Sequence, residues 1–128
     1  MTARRQVYLW LPVVAWMGTI FYLSAQPDLP HPSSGWLDWA ISSAAHVFMF
    51  AVLAMLWARA LGRGRRSWLI AVGLTLLYAL FDELHQLFVP GRHADPWDLV
   101  FDALGAVLGV GVWARLERKI WMSPKVRS

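Results

Sequence analysis

Residues 68–88 read WLIAVGLTLLYALFDELHQLF, a long apolar run that carries two adjacent acids, a His and a Gln near its end. A helix needs about 20 mostly apolar residues to cross the hydrocarbon core of a membrane, and this stretch has that length. Ionisable side chains at membrane depth are costly, so they normally face the interior of a helix bundle or a wet cavity. The stretch therefore predicts a transmembrane helix with its polar residues at a buried site: Asp82, Glu83, His85 and Gln86.

Three further segments have the same character, at residues 7–23, 39–58 and 97–116. The 128-residue chain is 58% hydrophobic and 16% charged, whereas soluble domains carry nearer a quarter charged residues. A soluble bundle would need broad charged helix faces, which these segments lack. The first segment has no clear signal-peptide cleavage site, and three spans follow it. We therefore predict a single all-α domain over residues 1–128, a bundle of four transmembrane helices.

The basic residues predict the orientation of the helices. Only Arg92 lies in a segment that joins spans one and two or spans three and four. The other eleven Lys and Arg residues lie on the opposite side: Arg4, Arg5, Arg59, Arg63, Arg65, Arg66, Arg115, Arg118, Lys119, Lys125 and Arg127. The positive-inside rule then places both termini in the cytoplasm, which fits a bacterial inner membrane. The net charge of +4 is thus a topology signal rather than a sign of nucleic-acid binding.

Three spans place an ionisable residue at nearly the same depth. Counted from the outer ends of their spans, Asp82 is six residues deep, Asp102 five and His46 seven, or about 9, 7.5 and 10 Å. His85 and Gln86 follow Asp82 at spacings of three and four, so the three side chains share one stripe of the third helix. A shared depth predicts a shared site near the external face.

The segment that joins spans three and four is short and carries strong local signals. Pro90-Gly91 predicts a sharp end to the third helix. Asp95 and Pro96 predict the N-cap and the first residue of the fourth helix. Arg92 must hang over the carboxylates and is placed to pair with Asp98 or Glu83.

One face of the fourth span combines acids with small residues. Small residues at helical spacing let a second helix approach closely. The face consists of Asp98, Asp102, Gly105 or Ala106, and Gly109. We expect spans three and four to pack along it, with the two carboxylates at the outer end.

Three interpretations of the polar residues stay open. The first is a structural network, in which buried polar groups satisfy one another and fix helix register. The second is a working site. Its catalytic candidates are Glu83 as the proton acceptor with Asp82 or His85 assisting, because adjacent acids acquire separate roles. Its binding candidates are Arg92, Asp98, His46, Gln86 and Asp102. Ion movement is the weaker third reading, since the inner halves of the spans offer no polar relay.

The acids outnumber the single Arg near this site, which argues against a simple phosphate pocket. No Gly-rich phosphate loop, nucleophile elbow or H-E-x-x-H spacing occurs. With no cysteine, thiol chemistry is excluded. We expect neither a metal nor another cofactor, and a metal held by His and carboxylates stays the alternative.

Residues 82–109, DELHQLFVPGRHADPWDLVFDALGAVLG, resemble the VanZ-like family of small membrane proteins. The matching features are the acid pair, the Gln, the Pro-Gly-Arg turn, the following Asp and the spaced glycines. FYLSAQP at residues 21–27 and HVFMF at residues 46–50 resemble two further family stretches. The chain departs from the family pattern at three positions. Ser43 replaces a frequent Lys, Phe50 a frequent Tyr and Asp102 a frequent Asn.

The resemblance implies a multi-pass membrane protein of the cell envelope. The founding member is linked to resistance to teicoplanin, a glycopeptide antibiotic whose target is a lipid-anchored cell-wall precursor. The expected partners are therefore membrane lipids and a lipid-linked envelope molecule. The alternative is a non-catalytic accessory protein whose polar layer is structural. Enzymatic activity and oligomeric state are left open by the sequence.

Overall fold

The computed structural model describes residues 2–27 and 35–123. They form four helices in chain order: α1 (Ala3–Ser24), α2 (Gly35–Leu61), α3 (Arg65–Gln86) and α4 (Pro96–Met122). Each is long and apolar enough to cross a membrane, and no strand occurs in the described part of the chain. The predicted all-α bundle of four transmembrane helices is thus confirmed. Lys125 and Arg127, which contributed to the predicted orientation, lie outside the described residues.

The helices extend beyond the predicted apolar spans at most ends, and α3 is the exception. It ends at Gln86, two residues earlier than residues 68–88 predicted. Gly91 in the following turn has φ +76°, a backbone geometry that favours glycine. As predicted, Asp95 caps α4: its side chain accepts a hydrogen bond from the Trp97 backbone N–H at 3.0 Å.

Helices α2 and α4 form the closest contact of the bundle. A Cβ atom added at Gly105 would lie 2.4 Å from the Val47 carbonyl oxygen, and one added at Gly109 would lie 2.1 Å from the Ala51 carbonyl oxygen. The small residues of α4 therefore face α2. Spans three and four do pack against each other, but the prediction that the glycines lie at that contact is wrong, because helical spacing defines a face but not the helix that covers it. We call this contact the α2–α4 seam.

Helix α1 is attached to the bundle by two aromatic side chains. The Trp16 indole N–H donates to the Met49 carbonyl of α2 at 2.8 Å. The Tyr78 hydroxyl of α3 donates to the Met17 carbonyl of α1 at 2.6 Å. Both bonds reach carbonyls near the middle of the bundle, where water is excluded and each polar atom needs a protein partner. They fix α1 at mid-height against its two neighbours.

The outer surface of the bundle is apolar. Large hydrophobic side chains on all four helices are exposed, as lipid contact requires: Val14, Phe48, Leu77, Leu84, Val107 and Leu108 are examples. The two ends differ in charge. We call the end that contains His46, Asp82 and Asp98 the carboxylate end. The end that contains Arg5, Arg59 and Arg63 is called the arginine end.

Candidate functional site

At the carboxylate end, His46 bridges two acids of α4. Its Nδ1 atom lies 2.7 Å from Oδ1 of Asp102, and its Nε2 atom lies 3.4 Å from Oδ2 of Asp98. The two acids are four residues apart on α4, so they present their carboxylates on one face, one turn apart. A doubly protonated imidazole can donate to both at once. We call this arrangement the His46 clamp, and it continues the α2–α4 seam to the carboxylate end.

The adjacent acids of α3 point in different directions. Asp82 is buried and lies beside Ser24 of α1 in the lining of one cleft. Glu83 is buried against α4, where the carboxylates of Asp98 and Asp102 are the charges that act on it most strongly. Consecutive helix residues project about 100° apart, so Asp82 lies toward α1 and Glu83 lies toward α4.

A cleft of about 200 Å³ lies beside Asp82. It is bounded by α1, α2, α3 and the turn after α3, and it is partly open to the outside. Its walls are mainly apolar with five polar groups among them. The lining residues are Ile20, Leu23, Ser24, Ser42, Ala45, His46, Met49, Phe50, Asp82 and Arg92.

Arg92 lies at the mouth of this cleft, above the acids as the short loop predicted. Its guanidinium donates to the Gln26 carbonyl at 3.1 Å, and its charge acts on Asp82. The turn after α3 is thereby joined to the end of α1. The cleft thus combines one cation with one carboxylate, an imidazole and two hydroxyls.

The structure places the predicted site residues in different surroundings. The cleft brings together Asp82, His46 and Arg92. Glu83, Gln86 and Asp102 are buried behind it, and His85 lies outside its lining, with its ring stacked on Phe21 at 4.2 Å between centroids. The catalytic and binding roles assigned to all of these residues stay predictions.

Three buried side chains behind the cleft have polar atoms without a hydrogen-bond partner among the described residues. They are Oε1 of Glu83, Oδ2 of Asp102 and both amide atoms of Gln86. A buried polar atom without a partner costs about 1–3 kcal/mol. Buried polar atoms without protein partners are a feature that functional sites often show.

Sequence reasoning missed Ser24 and Ser42 as lining residues. Ser24 is the last residue of α1 and reaches the depth of Asp82, so the end of the first apolar run was the available signal. Ser42 lies one turn before His46 on α2, which is the same face of that helix. Within the described ranges, no group of three or more His, Asp or Glu side chains is arranged to hold a metal ion.

Searches of curated proteins and of solved structures found no match to this chain. A family model described as VanZ/LLP1 matches residues 8–117, from the first turns of α1 to the last turns of α4. The match includes the His46 clamp, both acids of α3, the turn with Arg92 and the α2–α4 seam. The chain is therefore a multi-pass membrane protein that belongs to the VanZ/LLP1 family.

Proposed function

We propose that this protein binds the polar headgroup of a membrane lipid or of a lipid-linked cell-envelope molecule in the cleft between α1 and α2. The observation that carries the proposal is the composition of the cleft. Apolar side chains such as Ile20 and Met49 line it together with Ser24, Asp82 and Arg92. Ligand sites typically have this character, with few polar groups in mainly apolar walls.

The orientation of the bundle supports a site in the outer leaflet. In the described part of the chain, the arginines and the lysine other than Arg92 belong to the half of the bundle opposite the cleft. By the positive-inside rule that half faces the cytoplasm, together with both termini. The cleft then opens toward the external half of the cell membrane, where lipid-linked envelope precursors are exposed.

The polar groups of the cleft suggest what they recognise. Asp82 and Ser24 suit hydroxyl or amine groups of a ligand, and Arg92 suits an anionic group at the mouth. For a reaction on the bound group, Asp82 is the carboxylate at the cleft that would accept a proton. Glu83, the acceptor favoured by the sequence, lies behind it, so its role would be to act through Asp82 or on a group that penetrates further.

Two variants of neighbouring alanines test the binding site. Both alanines are exposed on α2, but Ala45 lines the cleft and Ala44 lies outside the lining. Ala45→Trp should fill the cleft and reduce the lipids that co-purify with the protein, and Ala44→Trp should not. Asp82→Asn should change the co-purified species without emptying the cleft. Mass spectrometry of lipids extracted from the purified variants measures this, and identical lipid profiles in all four proteins would contradict the proposal.

The second candidate is an accessory protein whose polar layer only holds the helices together. The His46 clamp favours it, because both ring nitrogens of His46 already have carboxylate partners on α4. In that case, Ala45→Trp would leave function intact, and changes on the lipid-facing or loop surface would abolish it.

A further inference from the structure

The arginine end contains a cavity of about 250 Å³. The cleft lies at the other end of the bundle. Three arginines line the cavity: Arg5 of α1, Arg59 of α2 and Arg63 of the turn between α2 and α3. One carboxylate, Glu117 of α4, is buried in the same wall. The side chains that line the cavity therefore carry more positive than negative charge.

Two of the three arginines of this cavity stack on aromatic rings. The guanidinium carbon of Arg59 lies 4.5 Å from the centroid of the Tyr8 ring. That of Arg63 lies 3.8 Å from the centroid of the Trp121 ring, and its Nε lies 3.7 Å from Oε1 of Glu117. A guanidinium that stacks on a ring keeps its N–H edge available for an anion.

The turn that carries Arg63 is built to place it. Gly62 and Gly64 on either side both have φ +99°, a geometry that side-chain-bearing residues rarely adopt. The chain can thus reverse within a few residues, and the Arg63 side chain lies over α4. A signal for topology alone needs only net charge near the membrane, and it requires neither this turn nor the stacked rings.

One further donor in the wall has no partner. Trp113 lines the cavity, and its buried indole N–H makes no hydrogen bond with the described residues. An anion with several oxygens suits the guanidinium edges of the arginines.

We infer that this cavity binds the phosphate of an anionic glycerophospholipid, such as phosphatidylglycerol, with its acyl chains along the apolar surface of the bundle. The excess of positive charge selects a headgroup with net negative charge over a zwitterionic one. Glu117 competes with the phosphate for Arg63, so it limits the affinity.

The test uses the purified full-length chain in a neutral detergent, with native mass spectrometry to measure bound lipid. Dilauroyl phosphatidylglycerol should bind more tightly than dilauroyl phosphatidylcholine. Arg59→Gln and Arg63→Gln should each weaken binding of the anionic lipid at least about tenfold, the loss expected for one charge-assisted hydrogen bond. The matched control is Arg66→Gln, which removes the same charge from an exposed arginine outside the cavity. It should weaken binding by less than about fivefold, as general attraction to an anionic headgroup predicts.

Glu117→Gln supplies a result of opposite sign. Removal of this carboxylate should tighten binding of phosphatidylglycerol, whereas a purely structural role of the Arg63–Glu117 pair predicts weaker binding or none. As the folding control, each variant should elute as a monodisperse peak. If Arg63→Gln fails to fold, the single variants Arg59→Gln and Glu117→Gln still test the inference. Equal loss in Arg63→Gln and Arg66→Gln, or equal binding of the two lipids, would overturn the inference. Binding of glycerol 3-phosphate as tight as that of phosphatidylglycerol would overturn the assignment to a lipid.

Discussion

Substitution of alanine for glycine at two positions of α4 should have opposite effects on stability. A Cβ atom at Gly109 would lie 2.1 Å from the Ala51 carbonyl oxygen and 2.8 Å from the Ala51 Cα, whereas at Gly111 it would meet nothing within 4 Å. Ordinary contact between such atoms needs about 3.5 Å or more, so α2 and α4 would have to separate by roughly 1 Å along the seam. Both obstructing atoms belong to the backbone and cannot rotate away.

Overpacking of this kind costs about 1–3 kcal/mol. At Gly111, alanine should instead stabilise the helix by about 0.5–1 kcal/mol, because glycine loses more backbone freedom on folding. The two variants should therefore differ by about 1.5–4 kcal/mol in the free energy of unfolding, although each adds the same methyl group.

Reversible unfolding in mixed micelles, followed by far-UV circular dichroism, measures this difference. Gly105→Ala is a second test of the seam, since its Cβ would lie 2.4 Å from the Val47 carbonyl oxygen. If Gly109→Ala proved as stable as Gly111→Ala, the close approach of α2 and α4 would be refuted.

Three further variants test the polar residues, each through the free energy of unfolding in the same micelles. Glu83→Gln should leave stability unchanged or raise it, because the side chain is buried with an unpartnered oxygen beside other carboxylates; a loss of about 3 kcal/mol would show that it is a structural partner. His46→Leu should cost about 3–5 kcal/mol because the carboxylate of Asp102, which is 0% exposed, loses its partner. Addition of Asp102→Leu should restore most of that loss, and a double variant no better than the single one would argue against the clamp. Tyr78→Phe should cost about 0.5–1.5 kcal/mol by removing the hydrogen bond to the Met17 carbonyl; an unchanged value would show that this bond adds nothing.

The helices were predictable because crossing a membrane imposes a length and a composition that the sequence displays directly. Their ends were less predictable. Apolar runs mark where the hydrocarbon begins, but α2 starts at Gly35 and α4 continues to Met122, because a helix does not need to end at the membrane boundary. The cap at Asp95 was predictable, since capping is a local property of a few residues.

The shared depth of His46, Asp82 and Asp102 was also visible in the sequence, because depth follows from residue counting along a span. The choice of partners was not. That His46 contacts the acids of α4, while Asp82 faces α1, depends on how the four helices are arranged around one another. The same information was missing for the glycines of α4, whose predicted neighbour was wrong.

The links between α1 and the rest of the carboxylate end have a mechanical consequence. Hydrogen bonds at Trp16 and Met17 hold the helix at mid-height. Ser24 lies seven residues beyond Met17, which is about 10 Å along the helix axis. There the Gln26 carbonyl accepts a hydrogen bond from Arg92, and Ser24 lies beside Asp82 in the lining of the cleft. A ligand that engaged Asp82 and Arg92 would compete with these contacts of α1. Binding in the cleft and the attachment of this helix end would then be coupled, and each would shift the other by the same free energy.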